Sequence, residues 1–147
     1  MSGAVYLGTH FPKLDDKGRL ILPARLREGL ADGLVLTKGQ DRCLVLWPRA
    51  QFDQYAAQLR ANAQSNARVR AMTRVFFSSA FDESIDRQGR LTIPPVLRDY
   101  AGLDRELTVV GADTRIEIWS SSAWEAYLAA AESEFADLDQ EGGIELP

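Results

Sequence analysis

The chain has 147 residues, 46% of them hydrophobic and 26% charged, with a formal net charge of −4. That balance fits a compact folded chain and excludes a collagenous or disordered one. No stretch approaches the length of a membrane span and the N-terminal region lacks an apolar signal core, so a cytoplasmic protein is expected.

The first element is a turn from Asp15 to Gly18. An Asp opening a type I turn can bond its side chain to the backbone two residues on, and a Gly three places later accepts the left-handed conformation that closes the turn. Alternation on the outgoing strand sends Leu20 and Leu22 toward the core and Arg19 to the opposite face. Pro23 suits the first position of a short helix near Ala24 to Leu30. Strands are predicted at Leu34 to Thr37 and Leu44 to Trp47. Cys43, the single cysteine, rules out an internal disulfide and reads as a small buried hydrophobe on a strand between Arg42 and Leu44.

A helix predicted to start at Pro48 places Phe52, Tyr55, Ala56 and Leu59 on one face and breaks near Asn62 to Asn66. A second, about Ala67 to Ser79, presents Val69, Met72 and Phe76 at helical spacing. The turn chemistry then recurs with Asp86 and Gly89, followed by Arg90 facing outward and Leu91 and Ile93 facing inward. Pro94 leads a short helix from Pro95 to Ala101, and strands follow at Leu107 to Val110 and Arg115 to Trp119. The last helix opens on a capping box from Ser122 to Glu125 and aligns Trp124, Tyr127, Leu128 and Ala131. All three longer helices are expected to pack on the core. The acidic, glycine-containing tail after Phe135 is expected to be mobile.

The recurrence is a duplication. LDDKGRLILPARLR from Leu14 and IDRQGRLTIPPVLR from Ile85 lie 71 residues apart and match at seven of fourteen positions, where unrelated segments would share roughly one. With one residue inserted near Gly102 to Arg105, GQDRCLVLW overlays GADTRIEIW as well. A unit of about forty residues buries too little apolar surface to stand alone. The two copies are therefore expected to share one core about an approximate two-fold axis.

Charge is unevenly distributed. Six acids and no base fall between Glu132 and the C-terminus, leaving 17 basic and 15 acidic side chains in residues 1–131. A polyanion responds to the local basic face more than to the total. Arg19 and Arg90 stand just beyond the two turns, where an arginine can make a bidentate contact to guanine. Lys13, Lys17 and Arg87 are neighbours able to meet phosphates. The alternative is that Asp15 with Arg19, and Asp86 with Arg90, are structural ion pairs that fix the turns; for the aspartates the structural role is preferred.

Other candidates have plainer explanations beside the functional ones. Arg68, Arg70 and Arg74 form a basic stripe suited to a solvated face, a subunit contact or DNA. Arg25, Arg27 and Arg98 on the short helices are further candidates for phosphate. Trp47 and Trp119 sit at matched strand ends and read as core or subunit-contact aromatics rather than stacking platforms for bases. Catalysis finds little support: Asp15 with Asp16, and Asp82 with Glu83 and Asp86, could supply an acid and a base. Against that, His10 is the only histidine, and no nucleophile motif, phosphate-cradling loop or metal-ligand spacing occurs. No cofactor and no small-molecule substrate is expected.

The phrases YLGTHFPKLDDKGRLILPARLR, FFSSAFDESIDRQGRLTIPPVLR and RIEIW, in this order and spacing, resemble the MraZ family of bacterial transcription regulators over roughly residues 5–130. The resemblance implies a mainly β fold with flanking helices (α+β), built as a tandem pseudo-two-fold swapped-hairpin β barrel of the SpoVT-AbrB type. It implies SpoVT-AbrB repeats at 5–51 and 80–123, a helical connector at 52–79, a C-terminal helix at 124–135 and an acidic tail at 136–147. It further implies a homo-oligomeric ring that binds double-stranded DNA at short direct repeats in the promoter of the division and cell-wall gene cluster, including the regulator's own gene. Its role there would be mostly repression, in association with the nucleoid. Arg19 and Arg90 take the family's motif-arginine positions, with Asp15 and Asp86 as their partners. The two turns differ, with Asp16 and Lys17 in the first where the second has Arg87 and Gln88. A rival of similar fold is an antitoxin that binds DNA through its barrel and neutralises a toxin through its acidic tail; Leu138, Ile144 and Leu146 are the few apolar anchors that tail offers.

Overall fold

The computed structural model describes residues 5–62 and 66–138. In chain order the elements are β1 (Thr9–His10), β2 (Arg19–Ile21), β3 (Leu34–Lys38), β4 (Leu44–Pro48), α1 (Arg49–Asn62), α2 (Ala67–Ser78), β5 (Phe81–Glu83), β6 (Arg90–Thr92), α3 (Pro95–Ala101), β7 (Leu107–Ala112), β8 (Arg115–Ser120) and α4 (Ser121–Ala136). The fold is mixed α+β with mainly antiparallel pairing. A six-stranded sheet runs β1-β7-β8-β4-β3-β5, and β2 pairs only with β6 in a separate ribbon. The larger sheet is open, with β1 and β5 at its edges.

Strand exchange organises both sheets. β1 pairs with β7 of the second repeat, β5 with β3 of the first, and β4 meets β8 at the centre. The internal symmetry is visible in the register. Leu20 faces Leu91 in the ribbon and Val45 faces Glu117 in the sheet, and each is a pair of equivalent positions in the duplicated sequence. An approximate two-fold axis passes through both pairs.

The core lies between ribbon and sheet. Leu20, Leu22, Leu91 and Ile93 are all at most 1% exposed and join one cluster with Leu34, Leu36, Leu44, Leu46, Ile116 and Ile118. Each such side chain contributes about 1.5–3 kcal/mol on burial, and both repeats supply them, so neither repeat has a core of its own. The opposite face of the sheet carries the two tryptophans. Trp47 stacks on Tyr55 at 4.9 Å and donates Nε1–H to Thr37 Oγ1, while Trp119 meets Trp124 edge to face at 5.2 Å.

Several local expectations shift. Pro48 is the last residue of β4, opposite Leu34, and α1 begins at Arg49. The first short helix is a single 3-10 turn, Ala24–Arg27. The cap of α4 is Ser120, whose side chain accepts the N–H of Ala123. Ser122 lies inside the helix, because β8 runs directly into α4 and Ser120 is the last extended residue. Cys43 is buried as expected, immediately before β4. Neither α2 nor α4 has a buried residue, and Met72 is 53% exposed; α1 already covers part of the sheet face on which α2 would otherwise settle.

Candidate nucleic-acid interface

The site is the β2–β6 ribbon and the turn at each of its ends. In the first turn Asp15 Oδ1 accepts the N–H groups of Lys17 and Arg19, each at 2.9 Å, and Oδ2 accepts Arg19 Nε–H at 3.0 Å. The second turn repeats this. Asp86 Oδ1 accepts from Gln88 and Arg90 at 2.9 and 2.8 Å, and Oδ2 from Arg90 Nε at 2.8 Å. Gly18 and Gly89 close the turns with φ of 77° and 80°, a region an L side chain enters only at a cost.

These bonds set the carboxyl pKa values. The backbone N–H of Arg19, then its guanidinium and the Lys17 N–H, hold Asp15 below the usual carboxylate range; the N–H and guanidinium of Arg90 do the same for Asp86. The ion pairs predicted as the structural alternative are therefore present. They occupy one nitrogen of each arginine. No hydrogen bond to the terminal nitrogens of Arg19 or Arg90 occurs among the described residues, so their planar donor pairs remain available.

Pairing places the arginines relative to one another. Arg19 stands opposite Thr92 and Arg90 opposite Ile21, so the two sit on the outward face of the ribbon, offset by two residues, about 7 Å of strand rise. Lys17 and Arg87 are exposed at the two turn tips. Lys13 is exposed too, yet its ammonium lies 3.9 Å from Glu106, a partner the turn pattern did not suggest.

Arg27 and Arg98, phosphate candidates on the two predicted short helices, have a definite place in the structure. Arg27 Nε donates to Leu22 O at 2.7 Å and Arg98 Nε to Ile93 O at 3.0 Å. Each guanidinium then lies over the turn glycine of the other repeat, Arg98 at Gly18 and Arg27 at Gly89. Each end of the ribbon thus gathers guanidinium groups from both repeats. No local sequence signal announces this, because it depends on β2 pairing with β6. Arg25 is exposed and Arg68, Arg70 and Arg74 lie on α2, away from the ribbon in the chain's topology. The tail anchors Ile144 and Leu146 lie outside the described residues.

The comparisons agree with the duplication. The family model described as "MraZ protein, putative antitoxin-like" matches twice, over residues 5–75 and 76–142. A protein of Salinispora arenicola named "Transcriptional regulator MraZ" is 58% identical over 136 residues, covering 92% of this chain and 96% of the relative. Proteins of the same name from a Parafrankia species and from Micrococcus luteus are 55% and 50% identical over 137 residues, covering 93% of this chain and 96% of each relative. The family is one of regulators rather than enzymes, and no helix among the described residues is long and apolar enough to cross a membrane. With both repeats matched and half or more of the residues shared with these relatives, the chain belongs to the MraZ family of transcriptional regulators.

Proposed function

We propose that the chain binds double-stranded DNA by laying the β2–β6 ribbon into a major groove. The observation that carries this is the pair of guanidinium groups, Arg19 and Arg90, each locked by its own turn aspartate on the outward face of one two-stranded ribbon. A major groove admits such a ribbon, and an arginine presenting a planar donor pair matches O6 and N7 of guanine. Nε held by Asp15 or Asp86 fixes the fork before DNA arrives, which reduces the ordering cost of binding. Lys17 and Arg87 at the tips, with Lys13 beside the first turn, neutralise phosphates and set the register.

On this basis the repeats at 5–51 and 80–123 form one swapped-hairpin barrel with 52–79 as connector, 124–135 as C-terminal helix and 136–147 as acidic tail. The chain assembles into a homo-oligomeric ring, which presents several ribbons in one direction and so favours short direct repeats over a single half-site. It acts in the cytoplasm, at the nucleoid, mainly as a repressor of the division and cell-wall gene cluster that includes its own gene.

The test is footprinting and quantitative binding on DNA upstream of the chain's own gene. The wild type is expected to protect a regularly spaced array, and Arg19→Ala or Arg90→Ala to lose about 1–3 kcal/mol per engaged site with little change in melting temperature. Full operator affinity in both variants would overturn the assignment. A stoichiometric small toxin in a pull-down, with no protected array, would instead establish the antitoxin.

A further inference from the structure

The outward face of the β2–β6 ribbon carries two cross-strand pairs, Arg19 with Thr92 and Ile21 with Arg90, while Leu20 and Leu91 between them are buried in the core. Ile21 is 57% exposed although it is apolar. A lone exposed isoleucine needs no explanation, but this one is part of a larger patch. Phe11, 70% exposed, lines one shallow hollow with Pro12, Lys13, Ile21 and Pro23. The apolar surface is thus continuous with the arginine face and has a cation at its rim.

The other repeat is built differently. At the spacing of 71 residues that relates the two copies, Phe11, Pro12, Lys13 and Ile21 correspond to Asp82, Glu83, Ser84 and Thr92. What is apolar and cationic in the first repeat is acidic and polar in the second. The arginines obey the internal two-fold axis, and the residues opposite them do not. A two-fold reader suits a palindrome, whereas a ribbon with Ile21 on one strand and Thr92 on the other meets the two sides of its site unequally.

We propose that Ile21 is a specificity-determining residue that reads the C5-methyl group of a thymine beside the guanine contacted by Arg90, and that it thereby fixes the direction in which the ribbon lies. The methyl group is the apolar feature of thymine in the major groove, and an apolar side chain is its partner. Isoleucine offers no hydrogen bond to any other base edge. Opposed residues on one face of a ribbon have Cβ atoms about 4.5–5.5 Å apart, and successive bases of a strand are about 3.4 Å apart. A thymine one or two base pairs from the guanine of Arg90 therefore lies within reach of Ile21. Thr92, with a hydroxyl as well as a methyl group, accepts more than one base, so the side of the site near Arg19 is read less strictly. This assignment rests on the groove-bound ribbon proposed above and names the base that its apolar residue selects.

Replacing thymine by deoxyuridine in the operator array tests it, because only the methyl group is lost and pairing with adenine is unchanged. With the full wild-type chain, one thymine within two base pairs of a guanine is expected to cost about fourfold in affinity when replaced in a single box, the worth of burying one methyl group. Ile21→Ala should bind the unmodified array several-fold more weakly and no longer respond to that replacement, with the salt slope unchanged because no charge is lost. Thr92→Ala should still respond as the wild type does. Circular dichroism and light scattering check the fold and mass of each variant. If the wild type tolerates deoxyuridine at every thymine, or Ile21→Ala responds as strongly as the wild type, Ile21 reads no methyl group, although the ribbon still binds. If Ile21→Ala instead changes the oligomer mass, the hollow is a subunit contact and the assignment fails. If the wild type protects no array, the groove-bound ribbon fails and this reading with it.

Discussion

Arg98 of the second repeat lies across Gly18 of the first, so close that a Cβ on Gly18 would stand 2.8 Å from the guanidinium carbon. Arg27 stands over Gly89 in the same way, at 2.5 Å. The backbone ties the same segments together, with Ile93 N–H donating to Gly18 O and Leu22 N–H to Gly89 O, at 2.8 and 2.9 Å. Each turn glycine thus serves two purposes: it closes its own turn, and it lets the other repeat's arginine approach.

These purposes can be separated by substitution. Gly18→Ala is expected to destabilise by about 1–2 kcal/mol for the left-handed residue, plus whatever displacing Arg98 costs, since its Nε is anchored to Ile93 O. Gly102 is the control: its φ is 61° and nothing lies within 4 Å of an added Cβ. Denaturant titration should show Gly18→Ala losing more than Gly102→Ala. Equal losses would mean that Arg98 moves aside freely.

The shared core makes a second prediction. Leu91 is fully buried opposite Leu20 on the two-fold axis, so Leu91→Ala should cost about 2–5 kcal/mol through lost burial and the cavity left behind. Because neither repeat has its own core, unfolding should remain one transition, with fluorescence of the tryptophans and far-UV dichroism coinciding. Two separated transitions would contradict the shared core.

Much of this was legible where the chemistry is local. The Asp15–Gly18 turn, the inward Leu20 and Leu22, and the strand pair ending at Trp47 follow from spacing and alternation. What was not legible depends on pairing between distant segments. Nothing near Arg98 indicates that it will cover Gly18, because that contact exists only once β2 lies beside β6. The cap of α4 was misplaced for a related reason. Ser120 and Ser122 are equally good caps by type, but Ser120 is still paired with Leu107 in β8, so the strand decides which serine comes last. Met72 looked like core by period, and the sequence did not show that α1 and α2 would leave an open cavity between them.

The turn carboxylates carry a pH prediction. A carboxyl with a depressed pKa in the folded chain contributes fully above its unfolded value and loses that contribution as pH falls through the folded one. Asp15 and Asp86 both lie below the ordinary 3.8, so the turns should hold their geometry throughout neutral and mildly acidic conditions. Carboxyl carbon shifts followed by NMR should titrate below that value at both residues. A midpoint above it at either would show that the hydrogen bonds to the turn amides are not maintained in solution.

Cys43 should be inert. It is 2% exposed, and burial first, then the charges of Glu117 and Asp41, push its thiol up to about 12. Only the thiolate reacts readily, so a thiol reagent at pH 8 should modify the native chain far more slowly than the denatured one. Equal rates would mean that the segment before β4 opens often.

Salt separates the residues that position from those that read. Lys17 and Arg87 are exposed at the turn tips with no ion pair among the described residues, so each is free to meet a phosphate and release a counterion. Lys17→Ala or Arg87→Ala should flatten the slope of log affinity against log salt by about 0.9 and weaken operator and random DNA alike. Lys13 should change the slope less, because Glu106 at 3.9 Å already offsets part of its charge. Arg19→Lys poses the opposite case. It keeps the charge but gives up both the planar fork and the Nε bond to Asp15, so the salt slope should stay near the wild-type value while preference for the operator over random DNA falls. If Arg19→Lys kept that preference, or if Lys17→Ala relaxed it without altering the slope, the roles given to the ribbon and to its tips would have to be exchanged.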